Sequence, residues 1–240
     1  MEDALKIFAS RFAPPGLSAG GAVSVSSLTG CADAFLALAL TRESVTLCVT
    51  PGLPDADRVA DDLRLLSAKS PVRVLEFPPL LDGDKSALGT RLKTIAALRA
   101  WPLSPYPCVV VAAFPALAAP IPTGAGSEPL VLRPGASLTL TDLAQRLAKA
   151  GYTRVPTVEQ IGDCSIRGGI VDAWSPGEEF PVRAEFFGDE LESLRTFNPA
   201  TQTSIERIDT AEILPVSDPS RVSRLASDDG DEEAYRDEDL

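Results

Sequence analysis

Residues 108–114 read CVVVAAF, an apolar run with no polar position on either alternate. A strand of this kind has no face to offer to water, so both of its sides must be covered. That is the situation of a central parallel strand, with crossover helices lying on the two faces of its sheet. The preceding sequence supplies such partners. GAVSVSS (21–27), VTLCVT (45–50) and VRVLEF (72–77) read as further strands. Helical patterns separate them: Ala32–Leu40; a segment opened by Pro54 and running to about Ala68, with Val59, Leu63 and Leu66 at helical spacing; and Ser86–Trp101, with Leu88, Leu92, Ile95 and Leu98 on one face. The β-α-β-α order predicts an α/β domain with a mostly parallel sheet and right-handed crossovers.

The stretch PIPTGAGSEP (120–129) breaks the pattern, and its Pro, Gly and Ser content marks a boundary. Beyond it one helix is expected, with Thr141 as N-cap and Gly151 as the C-terminal stop. Strand-like runs follow at Cys164–Trp174, Pro181–Gly188, Leu191–Phe197 and Ser204–Leu214, with Gly188-Asp189 as a hairpin turn. The expected organisation is therefore an α/β domain over 1–126, a smaller antiparallel α+β domain over 127–216, and a polar, non-periodic acidic tail over 217–240 that is expected to be disordered.

Charge and residue usage narrow the chemistry. The formal net charge is −12. Residues 227–240 hold eight acidic side chains against one Arg, leaving about −5 for the remainder. A surface of that sign gives no electrostatic footprint for autonomous DNA binding. The tail reads either as a tether to a basic partner or as a solvated end. The chain has no histidine, so serine–histidine and cysteine–histidine catalysis are impossible within it. Cys31, Cys48, Cys108 and Cys164 lie far apart, in neither a disulfide framework nor a metal-binding spacing. No apolar run reaches the roughly 20 residues needed to span a bilayer, and MEDALKIFASRF lacks the shape of a secretory signal. A cytoplasmic, reduced protein without metal or cofactor is expected.

Two motifs bear on function. SSLTGCADAF (26–35) sits between a strand and a helix, where nucleotide-binding proteins place a phosphate-cradling loop. Only Thr29-Gly30 of that pattern is present. The lysine and the second glycine are missing, and Asp33 would repel a phosphate. A plain strand-to-helix turn is the simpler reading, so no ATP hydrolysis is expected of this chain.

The other motif is CSIRGGIVDAWSPGEEFPVRAEFFGDELESLRTFNPATQTS (164–204). Its order of Arg-Gly-Gly-Ile-Val-Asp, Pro-Val-Arg, Phe-Phe-Gly-Asp-Glu, Ser-Leu-Arg-x-Phe and Thr-Gln resembles the bacterial transcription-repair coupling factor family and, more distantly, UvrB. Weaker likeness at GTRLKTIAAL (89–98), VVVAAFPAL (109–117) and LAQRLAKAGYTRV (143–155) extends the resemblance over about residues 20–216. It implies a UvrB-like module: a degenerate helicase-like first domain that does not hydrolyse ATP, and a second domain that binds UvrA, the damage-sensing ATPase. It further implies that the UvrA contacts fall on Arg167, Arg183 and Phe187. Family members are several times longer. They continue with a second piece of the first domain, an RNA-polymerase-binding domain and an ATP-driven DNA translocase, so DNA and RNA polymerase are expected to be partners only through those parts. The competing expectation is a nucleotide-dependent, helicase-like DNA-binding protein, which the absent lysine and the absent acidic Mg²⁺ motif disfavour.

Strand alternation bears on two of these residues independently. If 181–188 is a strand, Val182, Ala184 and Phe186 share the core-facing side, while Arg183, Glu185 and Phe187 point to solvent. An aromatic flanked by charges suits an interface anchor. It equally suits a solvated face on which Phe187 covers a neighbouring helix. Gly168-Gly169 reads as a bulge within a strand, which could aim Arg167 at a partner or serve structure alone.

Overall fold

The structure, a computed structural model, describes residues 22, 24–41, 44–81, 83–119, 121 and 129–216. These fall into two compact units. The first holds the described residues up to Leu80 together with Thr94–Ala119, and the second holds Leu81–Lys93 together with those from Ile121 onward. The segment 217–240, read above as a disordered tail, lies outside the described residues, as does 122–128.

In the first unit, α1 (Ala32–Leu40), β1 (Val45–Thr50), α2 (Leu53–Ser67), β2 (Arg73–Phe77), the C-terminal half of α3 (Lys85–Ala100), β3 (Cys108–Ala113) and the short α4 (Phe114–Ala118) follow one another. Helix α2 starts where the sequence predicts. Gly52 is extended at the N-cap, Pro54 occupies the first turn, and Asp55 and Arg64 lie at the ends that the helix dipole favours. The sheet has the order β1–β3–β2, and both pairings are parallel. The apolar run is its centre, buried at all six positions of β3. Val59, Ala60 and Leu63 of α2, with Ala34 and Leu38 of α1, cover Val109 and Val111. Ile95 of α3 and Ala116 of α4 cover Val110 and Ala112. The strand expected at 21–27 is not seen among its described residues: 22 and 24–27 adopt no regular structure, and 21 and 23 lie outside the described residues. A strand exists only through hydrogen bonds to a neighbour, and β1 pairs with β3 alone among the described residues.

The second unit is built on antiparallel pairing. Strands β5 (Thr153–Arg154), β6 (Asp163–Arg167), β7 (Ile170–Ala173), β8 (Val182–Phe187), β9 (Glu190–Phe197) and β10 (Ser204–Ile208) form one six-stranded sheet in the order β10-β9-β8-β7-β6-β5, antiparallel except at β5–β6. A separate two-stranded ribbon joins β4 (Leu130–Leu132) to β11 (Ala211–Ile213). Among the described residues, then, only the three-stranded sheet is parallel throughout; the six-stranded sheet is antiparallel except at β5–β6, and the two-stranded ribbon is antiparallel. Helix α5 (Leu140–Lys149) buries Leu143 and Leu147 among Val171, Ala184, Phe186, Leu191 and Leu194 of the sheet.

Three local expectations are corrected. The N-cap of α5 is Thr139, not Thr141: its hydroxyl accepts from the Asp142 N–H, and the Asp142 carboxylate returns to the Thr139 N–H in a capping box. The run 164–174 is two strands, because Gly168-Gly169 forms the turn of a β6–β7 hairpin. The run 204–214 is also two strands, and these belong to different sheets. The Gly151 stop is observed, with φ +86° just after the helix.

The first half of α3 packs within this second unit through glycine. A Cβ built on Gly89 would lie 2.2 Å from the Gly177 nitrogen and from the Pro176 carbonyl carbon. One turn further along, the Lys93 ammonium donates to the Gly177 carbonyl at 2.7 Å and pairs with Glu178 at 2.8 Å. Gly89→Ala gains helix propensity, yet it forces backbone against backbone. It is expected to lower stability by about 2 kcal/mol, read as a shifted urea midpoint at unchanged slope.

Candidate functional site

Two hairpin tips lie side by side at one end of the six-stranded sheet. The β6–β7 turn is Gly168-Gly169, with Arg167 paired to Ile170; the β8–β9 turn is Gly188-Asp189, with Phe187 paired to Glu190. In both turns the first central residue is a glycine with positive φ, +57° at Gly168 and +61° at Gly188. That is the position at which a type II′ hairpin turn calls for glycine, which accounts for the Gly-Asp order. The tips are tied together, since the Phe186 N–H donates to the Gly169 carbonyl at 2.7 Å. Gly169 itself leaves no room for a side chain, because a Cβ there would stand 2.7 Å from the Phe186 oxygen.

The alternation expected along β8 is observed. Val182, Ala184 and Phe186 are buried in the core, with Phe186 only 9 % exposed. Phe187 is 80 % exposed, a large aromatic at the very end of the strand. Arg183, however, does not stand in solvent, and that expectation is corrected. Its side chain is 14 % exposed. Its guanidinium lies 4.5 Å over the Phe197 ring, and its Nη1 donates to the Gln202 carbonyl at 3.4 Å. The physical reason is that this face of the sheet is covered around Arg183, since the Phe197 ring beneath its guanidinium is itself fully buried.

Asp172 organises the site, and the sequence reading passed it over. It lies on β7 opposite Ser165 on one side and Arg183 on the other. Its side chain is 1 % exposed. Arg183 grips it with a fork, Nε to Oδ1 at 2.8 Å and Nη2 to Oδ2 at 2.9 Å. Arg167, whose side chain is 48 % exposed, donates Nη2 to the same Oδ2 at 2.8 Å. The hydrogen bonds to Asp172 hold the Arg183 guanidinium still more firmly in its charged form. A signal for Asp172 was present: a lone charge within Ile-Val-Asp-Ala-Trp must point away from the apolar side that Val171 and Ala173 occupy. Arg167 and Arg183 are thus brought together through one carboxylate. Phe187 projects from the adjoining tip. Next to Arg183 on β8, Glu185 accepts from the Ser193 hydroxyl and stands 3.4 Å from the Arg195 Nε.

The nucleotide-loop candidate in the first unit has a different character. Gly30 takes φ +61° ahead of α1, and Asp33 sits in the first turn with its own carboxylate accepting the Ala34 N–H at 2.8 Å. Arg58 of α2 pairs with Asp33 at 2.6 Å and holds its carboxyl below the usual carboxylate range. The helix N-terminus that would attract a phosphate is occupied by the chain's own anion. Among the described residues no group of three or more His, Cys, Asp or Glu side chains could hold a metal ion. No helix among them is long and apolar enough to cross a membrane.

Residues 130–218 match the family described as the UvrB interaction domain. The transcription-repair-coupling factor of Mycobacterium bovis is 36 % identical over 202 residues, which cover 80 % of this chain and 16 % of that protein. That of Bacillus subtilis is 30 % identical over 200 residues, covering 81 % of this chain and 17 % of the relative. That of Escherichia coli is 36 % identical over 86 residues, 36 % of this chain and 8 % of the relative. The chain therefore spans less than a fifth of the length of these relatives.

Proposed function

The chain belongs to the transcription-repair-coupling factor family as its UvrB-like N-terminal region, and from that premise we propose that its second unit recruits UvrA through Arg167, Arg183 and Phe187. The observation that carries the reading is the pair of joined hairpin tips: an exposed aromatic beside two arginines gathered on one carboxylate, all within the matched residues. Arginine and aromatic side chains are the residue types that dominate interface energetics. The module is non-catalytic and acts in transcription-coupled nucleotide excision repair by supplying a docking surface. DNA and RNA polymerase are proposed as partners only through parts of the longer family proteins that this chain does not span.

Titrating the chain onto immobilised UvrA tests the proposal. Arg167→Ala is expected to weaken binding by roughly 1–3 kcal/mol while leaving the melting temperature nearly unchanged, because its side chain is half exposed and Arg183 still satisfies Asp172. Equal affinity of parent and variant would remove Arg167 from the contact. Saturating DNA should not strengthen the binding.

The first unit is proposed to be a degenerate nucleotide-binding scaffold that does not bind ATP. The Asp33–Arg58 pair at the start of α1 and the missing lysine support this. Calorimetric titration with Mg-ATP is expected to be flat. Micromolar affinity abolished by substitution of Thr29 and Gly30 would favour the helicase-like reading instead.

A further inference from the structure

We propose that Asp172 is the positioning residue of the UvrA-facing surface: its carboxylate sets Arg167 and Arg183 in place before the partner arrives, ready to receive partner carboxylates. The inference rests on the docking reading given above and says how that surface is built. Three guanidinium N–H groups converge on Asp172 at 2.8–2.9 Å. Two of them come from the fork of Arg183, whose orientation is also fixed by the Phe197 ring and the Gln202 carbonyl. The third comes from Arg167, which reaches inward from the hairpin tip to the shared Oδ2.

Two cations do not share a small space unaided. Two guanidiniums close enough to bond the same oxygen repel each other, and with Arg183 and Asp172 largely buried that repulsion is only partly screened by solvent at the half-exposed Arg167. Asp172 removes it and still leaves the trio with one net positive charge. It also removes disorder. A free arginine side chain gives up several rotatable bonds on docking, and a prepositioned one has already given them up. A guanidinium has five N–H donors in a rigid plane, and Arg167 gives one of them to Asp172. The donors that remain suit bidentate pairing with a carboxylate, for which lysine is no substitute. The partner surface that fits is therefore an acidic group beside an apolar recess, the first for Arg167 and the second for the exposed Phe187.

The alternative is that Asp172 merely staples β6, β7 and β8 together. A double-mutant cycle on the full chain separates the two, with affinity for UvrA as the readout and circular dichroism confirming that each variant is folded. Asp172→Asn is expected to weaken binding roughly 10- to 100-fold, the scale of a lost charge-assisted hydrogen bond. Arg167→Ala should then cost several-fold less in the Asp172→Asn background than in the parent. Equal cost of Arg167→Ala in both backgrounds overturns the inference, since a staple acts independently of Arg167. If Asp172→Asn does not fold, nitrogen-15 relaxation of the arginine Nε–H groups in the parent decides. Arg167 and Arg183 should be as ordered as the backbone, and an Arg167 as mobile as the exposed Arg207 overturns the inference. A parent chain with no affinity for UvrA overturns the docking reading and this inference together. Binding that is sensitive to Arg167→Ala and Phe187→Ala but indifferent to Asp172→Asn overturns this inference alone.

Discussion

Arg183→Ala is expected to destabilise the second unit by about 3–5 kcal/mol, a loss large enough to be seen directly as a lowered thermal or urea midpoint. The figure is that for breaking a buried ion pair from one side. The substitution removes both teeth of the fork on Asp172 and leaves a carboxylate that is almost wholly out of water. Arg167 keeps its single bond to Oδ2 and offsets part of the cost. The lost packing of the guanidinium over Phe197 adds to it. Arg183→Lys should recover little, because an ammonium cannot make the two parallel bonds that Nε and Nη2 make. A loss below about 1 kcal/mol would show that Asp172 finds other partners and that the pairing of β7 with β8 is not held by charge. The practical consequence concerns any binding assay. Weak UvrA binding by an Arg183 variant reports folding and contact mixed together, whereas Arg167 and Phe187 variants report contact.

That consequence also marks what strand alternation conveys and what it leaves out. Period two assigns Arg183 and Phe187 to the side of β8 away from Phe186, and the burial along the strand agrees. It does not say whether that side is wet. Arg183 is covered because Phe197, two pairs along β9, folds its ring beneath it, and because Gln202, held at φ +61°, turns its carbonyl toward it. Those contacts come from residues 14 and 19 positions away in sequence, and no local pattern predicts them. The hairpin at Gly168-Gly169 was legible in principle. Two glycines in mid-run fit a II′ turn as well as a bulge, and the choice depends on whether Ile170–Ala173 pairs with β6 or continues it.

The first unit was legible for a different reason. Its helices and strands carry long periodic signals, and β1, α2, β2 and β3 begin and end within a residue or two of their expected positions. The run CVVVAAF named the centre of the sheet because nothing but double-sided burial suits it. By contrast, helical period shows which residues of α3 face inward without saying what they face. Gly89, which lies within that helix and beside Leu88, is where two backbones meet.

Phe186 and Phe187 provide the sharpest contrast, since they are the same residue type one position apart. Phe186→Ala is expected to cost about 3–5 kcal/mol of folding stability. Its ring lies in the cluster with Val171, Ala184 and Leu191, and truncation leaves a cavity that the surrounding strands cannot close. Phe187→Ala removes an 80 % exposed ring and should change stability by no more than about 0.5 kcal/mol. For UvrA binding the order reverses. Phe187→Ala is expected to lose roughly 2–4 kcal/mol, the range of a central aromatic anchor. Phe186→Ala, assayed well below its melting point, should bind with near-parent affinity. Chemical unfolding and UvrA titration of both variants give four numbers, and the expected pattern is a crossed one. Stability loss on both would mean that Phe187 packs against the chain itself. Parent-like binding by Phe187→Ala would place the contact elsewhere on the unit, however exposed the ring.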